Sequence, residues 1–362
     1  MKRGILFIAV CFFGAFLSES SRAQTTVPES VMQKIYEEIK TPYKYGLVLV
    51  PENSQKMIDS PSIFRVKKKW YMSYIVFDGR GYETWLAQSN DLLHWKTLGK
   101  ILSFTGNSWD ANQKAGYIAL QDYRLGGKYR VRKFVGKYWM SYLGGAVSGY
   151  EAGVLGIGMA FSEKLTRPQE WQRLEKPVIS ATDQDVRWYD NQTIYKSTVI
   201  HDKKETLGHP FVMFYNAKGS NPASGKASAE RIAMAVSDDM VRWKRFGNEP
   251  VIDHQTGISG DAFIARTGKV WVMFYFGAFW KPGAFDRFAC SYDLANWTVW
   301  TGEDLISPSE SYDRQYAHKP FVIKYKGVVY HFYCAVDQKG RRGIAVATST
   351  DLDKSDLSFS EN

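Results

Sequence analysis

The chain has 362 residues, of which 44% are hydrophobic and 15% aromatic, and 47 Lys and Arg against 37 Asp and Glu give a net charge of +10. That length and composition fit a soluble domain with a large core, and three cysteines are too few for a disulfide-stapled scaffold. The basic residues are scattered, as at Lys67 to Lys69, Arg130 to Lys133 and Arg341 with Arg342, without the long run that nucleic-acid binding calls for, so no nucleic-acid partner is expected.

Residues 1–23 combine a basic start (Lys2, Arg3), an apolar run from Ile5 to Leu17 and a small-residue stretch ending at Ala23. This is the pattern of a cleaved signal peptide, which predicts a periplasmic or secreted protein. The apolar run is well short of the ~20 residues a spanning helix needs, and no later stretch approaches that length, so no membrane insertion is expected. Residues 24–57 form an N-terminal extension in which Val31, Ile35 and Ile39 fall at helical spacing between Pro28 and Pro42. The spacing predicts one helix, whose apolar stripe must pack on the rest of the chain or on a second subunit in a homodimer.

Residues 58–354 carry a repeat. A strand rich in aromatic residues recurs as KKWYMSY, GKYWMSY, HPFVMFY, KVWVMFY and GVVYHFY, ending at Tyr74, Tyr142, Tyr215, Tyr275 and Tyr333. Each copy follows an apolar segment and a turn, which reads as a hairpin. Four copies are followed by a third strand and a Ser-x-Asp turn, with Trp95, Trp243 and Trp297 closing three of them. Those serines and aspartates tie their own turns, and the tryptophans are structural. Five such four-stranded units predict an all-β, five-bladed β-propeller with a short helical extension; residues 355–362 read as a C-terminal tail.

In a propeller the innermost strands all start at one end of the central channel, so residues at those starts converge. Four starts carry Asp59, Asp190, Asp261 and His318. Hydrolysis of a glycosidic bond needs two proton-handling groups facing each other across it. Asp59 and Asp261 can supply carboxylates, and His318 can supply a proton if neighbouring carboxylates keep it charged. Glu83, Glu151 and Glu230 are further candidates for the acid, Glu151 in a glycine-rich loop. Lys319, Asp190, Glu151, Glu230 and Trp188 are candidate substrate-binding residues, and Tyr150, Trp188 and Trp280 fall on rim loops where they could stack on a sugar ring.

At these residues the chain resembles the five-bladed propeller glycoside hydrolases, the group that includes families 43, 32, 62, 117 and 130, over roughly residues 58–352. The likeness rests on the repeat and on Asp59 at the first inner strand, and it lacks a clear match for the inner glutamate acid of families 43 and 32. The AHKP context of His318 resembles family 117, which acts on 3,6-anhydro-L-galactose at the ends of agar oligosaccharides and uses an N-terminal extension in dimers. That resemblance implies an exo-acting, inverting hydrolase of plant or algal oligosaccharides with Asp59 as base, Asp261 as a second carboxylate and His318 as acid. It implies no organic cofactor, and it allows a structural cation in the channel, although no motif here has metal-ligand spacing. The rival readings are a family 43-like arabinofuranosidase or xylosidase with Glu151 or Glu230 as acid, and a propeller that binds carbohydrate without cleaving it.

Overall fold

The structure, a computed structural model, describes residues 26–168 and 171–360; the expected signal peptide lies outside the described residues. The chain is nearly all β. Helix α1 (Glu29–Ile39) precedes strand β1 (Tyr43–Leu49). The strands that follow fall by pairing into five antiparallel units. The first holds β2 (Met57–Val66), β3 (Lys69–Phe77), β4 (Tyr82–Ser89) and β5 (Trp95–Leu102). The second holds β6 (Gln113–Ile118), β7 (Tyr138–Gly145) and β8 (Gly156–Ser162), with the short β9 (Gln172–Arg173) and β10 (Ile179–Ser180) beside β8.

The third unit holds β11 (Thr193–His201), β12 (Phe211–Asn221), β13 (Lys226–Ser237) and β14 (Lys244–Phe246), and the fourth β15 (Ile258–Thr267), β16 (Val270–Ala278), β17 (Ala284–Ser291) and β18 (Thr298–Val299). The fifth holds β19 (Tyr316–Tyr325), β20 (Val328–Val336) and β21 (Arg342–Thr348). Its outer strand is β1, which pairs with β21 from Tyr43 opposite Thr348 to Leu49 opposite Ile344. The segment read as an extension therefore completes the last unit. The first strands touch in a closed ring, β2 on β6, β6 on β11, β11 on β15, β15 on β19 and β19 on β2, which is the arrangement of a propeller.

The packing explains the repeat. Strand β16 (VWVMFYFGA) is buried along its whole length, because its two faces meet neighbouring units, and a strand covered on both faces reads as an unbroken apolar run. The signature tyrosines anchor their hydroxyls inside their own units. Tyr142 donates to Asp110 (2.8 Å), which Arg173 also bonds, and Tyr215 donates to Asp190 (2.9 Å), which Arg245 also bonds (2.6 Å). Tyr333 donates to Asp313 (2.9 Å), which Lys44 of β1 also bonds. At the Ser-x-Asp turns, Ser89, Ser237 and Ser291 accept from the two amides that follow, and Trp95, Trp243 and Trp297 donate to Leu92, Met240 and Leu294. The stripe of α1 packs within the chain: Met32, Ile35 and Ile39 are buried in the main core and Tyr36 stacks on Trp300.

Residues 120–134 close the far end of the ring. Leu120 N donates to Val199 O, Leu125 N to Arg266 O and Tyr129 OH to Lys324 O, while Tyr129 O accepts from Arg65 N. One loop thus joins the ends of four inner strands.

Candidate active site

At the other end lies a cavity of about 310 Å³, to which all five inner strands contribute. Four of those strands carry a bulge at this height, with register shifts between Asp59 and Ser62, Ile194 and Ser197, Gly260 and Phe263, and His318 and Phe321. A bulge inserts an unpaired residue and bends the strand. Ser60, Asp261 and Lys319 take positive φ values of 47, 55 and 67° there, a conformation costly for residues with a Cβ and concentrated at functional sites. The result aims Asp59 with Ser60, Tyr195 with Lys196, Asp261, and His318 with Lys319 into one space.

Of the residues singled out from sequence, Asp59, Asp261, His318, Lys319, Glu151, Glu230 and Tyr150 all line this cavity. Asp190 and Trp188 do not. Asp190 stands before β11 rather than on it, fully buried under Tyr215 and Arg245; the equivalent place on the strand belongs to Tyr195 and Lys196. Trp188 meets Tyr189 edge-on and lies beneath the Arg231 guanidinium. Trp280 stacks on His254 at 4.0 Å, and Glu83 is buried in contact with Lys100 and Ser103. Sequence reasoning missed Lys196, Arg342, Tyr82, Tyr195 and Asn216, all of them cavity-lining; the aromatic-rich copies of the repeat gave no signal to separate them from core.

Asp59 is already engaged. Its Oδ2 accepts from Lys319 Nζ (2.6 Å) and Arg342 Nη1 (3.2 Å), and its Oδ1 accepts from Ser60 N (2.7 Å). Burial alone would raise its pKa, but the Lys319 and Arg342 cations hold it far below the usual carboxylate range. A carboxylate so stabilised is a weak base, which does not fit the role its position suggested. Asp261 is held on both sides, with Oδ1 accepting from Asn216 Nδ2 (2.9 Å), Oδ2 3.4 Å from Lys196 Nζ, and its own N–H donating to Asn216 Oδ1 (2.7 Å). Ser60 Oγ sits 3.3 Å from both aspartates, so its one proton serves one of them at a time. Gly260 permits this arrangement: a Cβ there would fall 2.6 Å from Asn216 Nδ2.

His318 is also displaced from its expected role. Its Nδ1 lies 3.2 Å from Cys334 O, which makes Nδ1 the donor and leaves Nε2 an acceptor. Burial, with Lys319 and Arg342 beside it outweighing Asp59, pushes its pKa down to about 3. The imidazole is therefore neutral near pH 7 and holds no proton to give from Nε2.

The groups pushed the other way are Glu230 and Glu151. Burial, reinforced by the Glu151 charge, raises Glu230 to about 7, with Lys218 Nζ 3.8 Å away as a partial counterweight. Glu151 is raised too, by burial first, although Lys319 and the Tyr82 hydroxyl donating at 3.1 Å oppose it. Its loop is pinned by Gln113, whose Nε2 donates to Val147 O (3.0 Å) and Gly149 O (2.6 Å). One carboxyl that keeps its proton near neutrality, beside others that do not, is the electrostatic arrangement of acid–base catalysis.

No family model and no curated protein matches the chain. Among solved structures, one described as "Glycoside hydrolase" is 48% identical with TM-score 0.91, over 93% of this chain and 99% of its own. Another, described as a complex of BT0996 with RGII, is 49% identical with TM-score 0.90, over 92% and 99%. A thermostable family-43 glycoside hydrolase (14% identity, TM-score 0.59, covering 82% and 90%) and Zg3597, a family 117 glycoside hydrolase of Zobellia galactanivorans (15%, 0.61, 88% and 93%), share the fold. With close to half of its residues identical to each of the first two structures across nearly their full length, the chain belongs to the glycoside hydrolases.

Proposed function

We propose that this glycoside hydrolase removes a terminal sugar from a branched plant-wall oligosaccharide, with Glu230 as general acid and Glu151 as the second carboxylate. The observation that carries the reading is the Glu230 carboxyl, raised to about 7 inside a cavity that also holds a second raised carboxyl. A protonated Glu230 can hand its proton to the leaving oxygen as the bond breaks. Glu151, freed of its proton as Lys319 and Tyr82 favour, can activate water or attack the anomeric carbon. Asp59 then serves to fix Lys319 and Arg342 as donors to sugar hydroxyls, and neutral His318 offers Nε2 as an acceptor.

The cavity volume is at the small end for ligand sites, and loop 120–134 closes the channel beyond it, both of which suit the end of a chain rather than its middle. The substrate class follows the 49% identical structure, described as an RGII complex; the agar-type substrate has only a shared fold behind it.

The test is monosaccharide release from RGII oligosaccharides, with agar oligosaccharides for comparison, by wild type and Glu230→Gln. Loss of a general acid lowers kcat about 10²–10⁴-fold on a natural leaving group, and much less on an aryl glycoside whose phenolate departs without a proton. Full activity in Glu230→Gln, or equal losses on both leaving groups, would remove Glu230 from the acid role.

A further inference from the structure

The lysines that lie scattered in the sequence meet on one face. The turns from first to second strand all lie at the end of the ring away from the cavity, about 25 Å along the inner strands. Four of the five carry exposed lysine: Lys67 to Lys69 after β2, Lys203 and Lys204 after β11, Lys269 after β15 and Lys326 after β19. Loop 120–134, which covers the channel between those turns, adds exposed Lys128, Arg130, Arg132 and Lys133. Among the described residues none of these side chains is ion-paired, whereas the nearby carboxylates are engaged: Asp122 is held by Arg124, and Asp202 is buried in its own turn. Glu205 is the carboxylate left exposed in these segments.

We propose that this face docks an acidic polysaccharide through uronate carboxylates that recur along the polymer. Separated cationic points around a ring suit a repeating anion, and clustered like charge raises the local concentration of an oppositely charged partner. An anionic membrane fits less well. Val135 is the one large apolar side chain exposed there among the described residues, and no amphipathic helix lies on this face to be buried in lipid. Such docking would keep the enzyme on a charged wall polymer while the cavity, at the opposite end, stays open to the ends of branches.

The test is affinity electrophoresis of the intact protein in gels containing polygalacturonate or neutral arabinan, with vesicles of anionic phospholipid assayed separately. Wild type is expected to be retarded by polygalacturonate and not by arabinan, and to lose the retardation at high salt. Replacing Lys68, Lys203 and Lys204 by Glu should weaken binding about tenfold or more, with an unchanged circular dichroism spectrum. The same charge change at Lys176, Lys226 and Lys339, away from this face, should leave most of the binding in place. Equal retardation of wild type and the first variant, equal loss in both variants, or wild-type binding to vesicles and not to polygalacturonate would each overturn the proposal.

Discussion

Lys218 offers a way to move the catalytic titration without touching the cavity. Its Nζ stands 3.8 Å from Glu230 Oε1, and its side chain is 37% exposed, so the water-like limit of Coulomb's law applies. At that separation two unit charges interact by about 1 kcal/mol in water, which corresponds to roughly 0.8 pH unit. Lys218 favours the charged form of Glu230, so Lys218→Met should raise the Glu230 pKa from about 7 to nearly 8. If activity requires protonated Glu230, the alkaline limb of the kcat/KM profile moves up by that amount. The shift should shrink as salt is added. The assay is kcat/KM from pH 5 to 9 for both proteins at low ionic strength. A limb that stays where it was, or moves down, would refute Glu230 as the group being titrated.

Glu230 also makes a stability prediction. Its folded pKa is raised from 4.5 to about 7, so its contribution is fully present below about 4.5 and is lost as pH rises through 7. Glu230→Gln should therefore be more stable than wild type at pH 8 by about 3 kcal/mol, a difference absent at pH 4, as read from urea unfolding. His318→Gln should retain the alkaline limb of the rate profile; its disappearance would return the acid role to His318. Gly260→Ala should cut kcat about 10²-fold while the protein remains folded, because the new Cβ displaces Asn216 from Asp261. Asp190→Ala should cost about 3 kcal/mol in urea unfolding, since Arg245 is left buried with weaker partners, and should leave KM unchanged. A large rise in KM with normal stability would place Asp190 back in the site.

The repeat was legible because its tyrosines, tryptophans and Ser-x-Asp turns satisfy the same local needs in successive units. The site was half legible. Asp59, Asp261 and His318 were found from where strands begin, yet an aspartate a few residues before a strand looks the same as one on it, and Asp190 proved to be a buried anchor. The bulges at Ser60, Asp261 and Lys319 have no glycine to announce them. Their left-handed backbone is imposed by the ring, so Lys196 and Arg342 could not be placed beside the aspartates from sequence. Charge state was hidden for a related reason: His318 and Glu230 take their protonation from burial and from neighbours distant in the chain.

The strand that closes the ring has a consequence for how the molecule comes together. Residues 43–49 pair with 344–348, so during synthesis the first strand waits for the last. At 5–20 residues per second that interval is roughly 15 to 60 s. Until β1 docks, the fifth unit presents an open strand edge and Asp313 lacks the Lys44 ammonium that neutralises it. The seven-residue link 50–56 between β1 and β2 keeps the chain's own strand at a high effective concentration against a neighbour's. Lengthening that link would lower this advantage and favour strand exchange between copies.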